Sequence, residues 1–281
     1  MSNGPGQLFV VATPIGNRDD ISRRAVEILL RVDRIAAEDT RHSRRLLDYL
    51  GVDRPMMALH EHNEMRAVER VLACLNQGES LALISDAGTP LINDPGFPLV
   101  RACREAGIRV VPVPGASALI AALSVSGLPT DRFRFEGFLP RRRAARIALL
   151  ETLRDETATL VFYESSHRVV DALADLTAVF GEDREAVVAR ELTKLHETVK
   201  SAPLGELSTW MAADENQRKG EFVLLLGGAP ETGASTGHDA DTVLAVLLEE
   251  LPLKQAASLA ARITGGKKNA LYQRALAMSR V

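Results

Sequence analysis

Leu81-Ala82-Leu83-Ile84-Ser85-Asp86-Ala87-Gly88-Thr89-Pro90 runs from a short apolar stretch straight into a loop of small residues carrying one carboxylate. A four-residue apolar run closed by Gly and Pro reads as a strand buried on both faces, followed by its exit loop. Ile108-Arg109-Val110-Val111, followed by Pro112-Val113-Pro114-Gly115-Ala116-Ser117, repeats the arrangement. At the carboxyl ends of parallel strands, Gly lets a ligand approach the backbone and the next helix offers unpaired N–H groups. A carboxylate there can take a cation or ribose hydroxyls. Either loop alone is an ordinary turn. Together with Thr13-Pro14-Ile15-Gly16-Asn17, which leaves the first apolar run, they point to a cofactor crevice.

Working outward, short apolar runs alternate with amphipathic stretches from the start of the chain. Leu8 to Ala12, Arg34 to Ala37, Met56 to Leu59, Leu81 to Ile84 and Ile108 to Val111 read as strands. Between them, Ile21 to Arg31, Ser43 to Leu50, Glu64 to Asn76 and Phe97 to Glu105 carry helical spacing. This is the βαβ pattern of a covered parallel sheet. A second set follows, with strands at Phe133 to Phe135, Thr159 to Tyr163, Ala186 to Ala189 and Glu221 to Leu226, and helices starting at Ser117, Arg143, Ser166 and Leu204. The expected organisation is an α/β domain over 1–113 and a second over 114–228. A linker over 229–238, rich in Gly, Ser, Thr and Ala, comes next, then a helix-turn-helix-like module over 239–281. A helical tail docked on the second domain is the alternative for that module.

The 281 residues are 46% hydrophobic and 25% charged, ordinary for a globular chain with a sizeable core. A net charge of −3 gives no global basic signal, so any contact with nucleic acid must come from local patches. The first residues lack the basic and apolar regions of a secretory signal, and no apolar run approaches the roughly 18 residues of a membrane span, so a cytoplasmic protein is expected. Cys74 and Cys103 stand far apart without metal-ligand or CxxC spacing and read as buried free thiols.

Several cofactor motifs are missing. The loop after the first strand is not GxGxxG, and GxxxxGK[ST] does not occur. Dinucleotide and P-loop nucleotide binding are disfavoured. A cofactor held mainly by backbone at strand exits remains, and S-adenosylmethionine suits that description.

Six ordered motifs then carry a resemblance: Val11-Ala12-Thr13-Pro14-Ile15-Gly16-Asn17, Ala37-Glu38-Asp39-Thr40-Arg41, Ser85 to Pro90, Pro114-Gly115-Ala116-Ser117-Ala118, Phe162-Tyr163-Glu164-Ser165 and Arg190-Glu191-Leu192-Thr193-Lys194. Spanning essentially the whole chain, they resemble the RsmI branch of the tetrapyrrole-methylase-like methyltransferases, the 16S rRNA (cytidine-2′-O)-methyltransferase family. The resemblance implies two α/β domains of tetrapyrrole methylase type with the cofactor crevice between them. It also implies a homodimer using S-adenosylmethionine on a ribose 2′-hydroxyl in the decoding region of small-subunit rRNA. The cofactor contacts it implies fall on Ile15 and Gly16, on Ala87, Gly88 and Thr89, on Ser117 and Ala118, and on Tyr163, Glu164 and Leu192, with Asp86 counted beside them. Thr13-Pro14-Ile15-Gly16 replaces the GxGPG-like loop of the tetrapyrrole enzymes and Gly88-Thr89-Pro90 replaces their Gly-Asp-Pro, which favours the rRNA branch.

Methyl transfer to a ribose hydroxyl asks the protein to align atoms and manage one proton. His42, Glu191 and Lys194 are candidates for that proton, although no spacing singles one out, and an internal ion pair is the alternative for Glu191 and Lys194. Arg41 is a candidate phosphate clamp. In an extended segment His60 and His62 of His60-Glu61-His62 share a face, as two metal ligands would, but no third ligand follows at convincing spacing, so no metal is expected. His167 reads as a surface residue. Pro140-Arg141-Arg142-Arg143, with Arg146 on the next turn, is the strongest local positive charge. Arg is unfavourable at a helix N-terminus, and that mismatch favours phosphate contact. Lys267 and Lys268 form a second patch. A small-molecule methyltransferase of the same fold and a non-catalytic RNA-binding protein are the alternatives.

Overall fold

The computed structural model describes residues 6–60, 64–230 and 240–278. Two compact units divide the chain, Met1–Gly228 and Ala229–Val281. No helix among the described residues is long and apolar enough to cross a membrane.

The first unit holds two five-stranded sheets. Strands β1 (Gln7–Val11), β2 (Arg34–Ala37), β3 (Met56–Ala58), β4 (Leu81–Ile84) and β5 (Arg109–Val113) alternate with helices α1 (Arg23–Arg31), α2 (Thr40–Tyr49), α3 (Glu64–Asn76) and α4 (Phe97–Glu105). All pairings are parallel, in the order β3-β2-β4-β1-β5. All four residues of β4 are buried, as a strand covered on both faces requires. Ser22 caps α1 by accepting from the Ala25 N–H at 3.1 Å, and Asp39 caps α2 by accepting from Arg41 and His42.

Helices α1 and α2 contribute Ala25, Leu29 and Leu47 to the core on one face of this sheet. Val71 and Leu75 of α3 and Leu99 and Cys103 of α4 fill the other face. The chain therefore leaves neighbouring strands β1 and β4 toward opposite faces. Doubly wound sheets open their ligand crevice at such a point.

The second sheet comprises β6 (Phe133–Phe138), β7 (Thr159–Ser165), β8 (Glu185–Arg190), β9 (Thr198–Pro203) and β10 (Glu221–Leu226), in the order β6-β7-β10-β8-β9. Only β6 and β7 run parallel, and the other pairs are antiparallel. Leu160 and Phe162 of β7 face the core built with α6 (Arg143–Thr152), α7 (Val169–Phe180) and α8 (Leu204–Ala213). Val161 and Tyr163 face α5 (Ala118–Ser126). Strand β9 is absent from the sequence reading, because Thr198-Val199-Lys200-Ser201-Ala202-Pro203 is a half-exposed edge strand with little apolar signal.

The second unit contains α9 (Ala240–Glu250), α10 (Leu253–Thr264) and α11 (Lys268–Met278), packed around Leu244, Ala260, Leu271 and Ala275. Most of the linker expected over 229–238 lies outside the described residues, as do Glu61 and His62.

Candidate active site

Three strand-exit loops are stitched together by main-chain hydrogen bonds. Thr13 donates its N–H to the Gly88 carbonyl at 2.8 Å, and Gly88 returns a bond to the Thr13 carbonyl at 3.1 Å. The Thr13 hydroxyl donates to the Ser85 carbonyl at 3.1 Å, and the Thr89 hydroxyl to the Ala116 carbonyl at 3.0 Å. Gly88 has φ +84°, a left-handed conformation that a side chain would strain. Asp86 is oriented by the Asp39 N–H, which donates to its Oδ1 at 3.2 Å.

These loops open onto a cavity of about 420 Å³, within the roughly 300–1,000 Å³ of small-molecule sites. Of the predicted cofactor residues, Ile15, Asp86, Ala87, Gly88 and Thr89 line it from the first sheet. Ser117 and Ala118 line it at the start of α5, and Tyr163, Glu164 and Leu192 from the second sheet. The Tyr163 hydroxyl accepts from the Leu119 N–H at 3.3 Å, tying β7 to the first turn of α5. Gly16 is the exception. It does not line the cavity but faces the Lys194 and Thr193 side chains, where a Cβ would come within 2.5 Å of Lys194 Cγ.

The electrostatics of the lining are one-sided. Asp86, Asp94, Glu164 and Glu221 contribute carboxyl groups, and none of the described residues lining the cavity is Lys, Arg or His. Glu164 is buried, with Oε1 2.6 Å from Arg168 and accepting from the Ser165 N–H at 2.8 Å, while its buried Oε2 has no hydrogen-bond partner. Burial pushes its carboxyl up against the pull of these donors. Such a lining suits a cationic ligand, and it offers no side-chain cation to a phosphate.

The three residues proposed for the proton do not reach this cavity. Glu191 and Lys194 form an ion pair at 2.9 Å, and Lys194 also bonds Glu221 at 2.7 Å. Burial opposes both charges and is the largest single influence on each. Hydrogen bonding nevertheless holds the Glu191 carboxyl below its ordinary range and the Lys194 ammonium above its own. A low carboxyl and a firmly protonated amine are poor bases, and both residues brace the loop after β8. His42 is exposed on α2 and engages Asp39 only through its backbone N–H.

The arginine cluster divides. Arg141 and Arg142 are exposed and make no ion pair among the described residues, and Arg143 reaches Asp175 at 2.9 Å while remaining largely exposed. Arg146, expected at phosphate, is instead 3% exposed and bonded to Asp175 at 2.6 Å. One helical turn beyond Arg142, it points into the core of the second sheet. Arg41 is exposed in the first turn of α2, and Lys267 and Lys268 are exposed in the second unit. His167 is exposed, Cys103 is a buried free thiol and Cys74 is half-buried.

Sequence reasoning missed Ile92, Asn93, Asp94, Phe138, Ser165 and Ser166 on the cavity wall. The turn signature Asn93-Asp94-Pro95-Gly96 was the available signal for the first group.

Comparison with known proteins decides the family. A family model described as Tetrapyrrole (Corrin/Porphyrin) Methylases matches residues 7–208, and one described as RsmI C-terminal HTH domain matches residues 234–279. A Pseudomonas aeruginosa protein named ribosomal RNA small subunit methyltransferase I is 58% identical over 273 residues, covering 96% of this chain and 97% of its own. The chain belongs to the ribosomal RNA small subunit methyltransferase I family. An Escherichia coli O157:H7 member is 56% identical, covering 98% of this chain and 96% of its own. The crystal structure of uroporphyrin-III-C-methyltransferase from Thermus thermophilus superposes with a TM-score of 0.57 at 19% identity, covering 79% of this chain and 94% of that one, a likeness of fold. The two α/β layers are thus of tetrapyrrole methylase type, and the C-terminal helices are the family's helix-turn-helix domain.

Proposed function

We propose that the protein uses S-adenosylmethionine to methylate the 2′-hydroxyl of a cytidine in the decoding region of 16S rRNA, within the small ribosomal subunit. The observation that carries the cofactor assignment is the cavity lined by four carboxylate residues and no basic side chain. S-adenosylmethionine bears a sulfonium and an ammonium against one carboxylate, so a net cation meets a net-negative wall. When bound, it supplies an electrophilic methyl group on a sulfur leaving group.

The residues present fit that group. Ala87-Gly88-Thr89 would let the ligand lie against main chain, and the first turn of α5 after Ser117 would receive its carboxylate. Ile15, Leu192 and Tyr163 would exclude water. Arg141 and Arg142, exposed a few residues beyond the cavity-lining Phe138, would hold the RNA backbone, and the exposed Arg41, Lys267 and Lys268 are further candidates for phosphate contact by their charge alone. The unneutralised Arg141 and Arg142 favour a polyanionic substrate over a small one.

The family resemblance supports a homodimer, and a ribosomal substrate supports a cytoplasmic location. Calorimetry with S-adenosylmethionine, followed by transfer to small subunits from a strain lacking the gene, tests the reading. Binding with a single 2′-O-methylcytidine formed is expected. Absence of binding, or methyl on a base, would contradict it.

A further inference from the structure

Strand β6 ends at Phe138, and Leu139 and Pro140 lie beyond its pairing with β7. Pro140 also brings no N–H donor to hold the chain. Two guanidinium groups take the place of a strand partner. Arg168 donates from Nη1 to the Leu139 carbonyl at 2.9 Å, and Arg146 donates from Nη1 to the Pro140 carbonyl at 3.3 Å. The Leu139 side chain, 2% exposed, anchors the turn in the core. Arg141 and Arg142 follow at once, both exposed.

The two arginines that hold the turn differ in what else they touch. Arg146 is buried and its charge is met by Asp175. Arg168 engages all three of its guanidinium nitrogens. Besides the Leu139 carbonyl at Nη1, Nη2 lies 2.6 Å from Glu164 Oε1 and Nε donates to the Ser165 hydroxyl at 3.3 Å. Glu164 and Ser165 line the cavity from β7, whereas Leu139 leads into the basic turn. One planar fork therefore spans from the cavity wall to the turn that carries Arg141 and Arg142. A turn fixed in this way loses little conformational entropy when it meets its ligand.

We propose that Arg168 is a positioning residue for the RNA substrate, holding the Leu139-Pro140 main chain so that Arg141 and Arg142 meet phosphates at a set distance from the cofactor wall. The inference rests on the assignment of Arg141 and Arg142 to the RNA backbone made above. Arg168 itself acts only through the turn. Lysine does not replace it, because an ammonium on a flexible stem keeps the charge beside Glu164 but does not span three fixed acceptors.

Arg168→Lys tests the inference beside an Arg141→Ala/Arg142→Ala double variant. In single-turnover methylation, Arg168→Lys should raise the half-saturating concentration of small subunits by about tenfold, the size of one weakened hydrogen bond to a charged group. The salt slope of subunit binding should fall by as much as about two, as in the double variant. Adding Arg168→Lys to the double variant should bring no further loss, because its effect runs through those two side chains. Calorimetry should find S-adenosylmethionine affinity at its wild-type value. Pro140→Gly frees the backbone of the turn and leaves both ion pairs in place, so it should reproduce the loss, and it decides the question if Arg168→Lys fails to fold. A wild-type salt slope in folded Arg168→Lys, or in Pro140→Gly where that variant must decide, overturns the inference. Additive losses in the triple variant give Arg168 a purely structural role and overturn it too, as does a fall in cofactor affinity that accounts for the lost rate. An unaltered slope in the double variant would overturn the assignment of Arg141 and Arg142 to RNA, and this inference with it.

Discussion

Gly88 concentrates the requirements of the site in one residue. Its φ of +84°, held by paired bonds with Thr13, strains any side chain and a β-branched one most. Gly88→Val should therefore abolish S-adenosylmethionine binding by calorimetry while the far-ultraviolet spectrum stays folded. Unchanged affinity in a folded variant would remove this loop from the site. Arg146 and Arg141 illustrate how burial separates neighbouring arginines. Arg146→Ala would leave the buried Asp175 carboxylate with only the largely exposed Arg143, at a cost of up to about 3–5 kcal/mol in chemical denaturation. Arg141→Ala should leave stability unchanged but reduce the salt slope of RNA binding by about one.

Burial pushes the Asp94 carboxyl on the cavity wall up to about 6, with a consequence for stability. An acid whose folded value lies above its unfolded value binds protons more tightly when folded, so its contribution is present below pH 4 and lost as pH rises through about 6. Asp94→Asn should then be more stable than wild type at pH 7.5, and the advantage should vanish near pH 4. An advantage that persists at pH 4 would show that packing, not ionisation, is responsible.

At the scale of elements, the buried strands do the positioning. Leu83 of β4 is 2% exposed, and its side chain abuts Gly96 in the loop joining β4 to α4. Leu83→Ala should cost about 2–5 kcal/mol by denaturant titration and weaken cofactor binding as well. A stability loss without any loss of affinity would uncouple strand from loop. The apolar runs that made β4 and β5 legible owe their clarity to burial on both faces, which leaves no polar residue to blur the pattern. Strand β9 was illegible for the opposite reason: at the sheet edge, only Val199 and Ala202 supply an apolar signal. The cavity followed the same division. Gly88, Ser117 and Tyr163 lie in motifs that the sequence exposes, whereas Asp94 depends on a fold-back of the loop between the sheets. Arg146 was misplaced because a basic cluster reveals charge but not which helical face is buried.

At the scale of the whole molecule, the cofactor cavity lies wholly within Met1–Gly228, while the helix-turn-helix domain forms a separate compact unit. Truncation after Gly228 should yield a folded protein with normal S-adenosylmethionine affinity and a raised KM for small subunits. Normal kcat/KM in the truncated protein would show that the domain adds no substrate contact.

The central claim is that an acidic cavity at three strand exits directs methyl transfer to one ribose of the small-subunit rRNA. Primer-extension mapping of ribose methylation in 16S rRNA tests it most directly, comparing a deletion strain with strains complemented by wild type or Gly88→Val. The account predicts one 2′-O-methylcytidine in the decoding region that disappears on deletion, returns with wild type and stays absent with Gly88→Val. A modification pattern identical in all strains would contradict it.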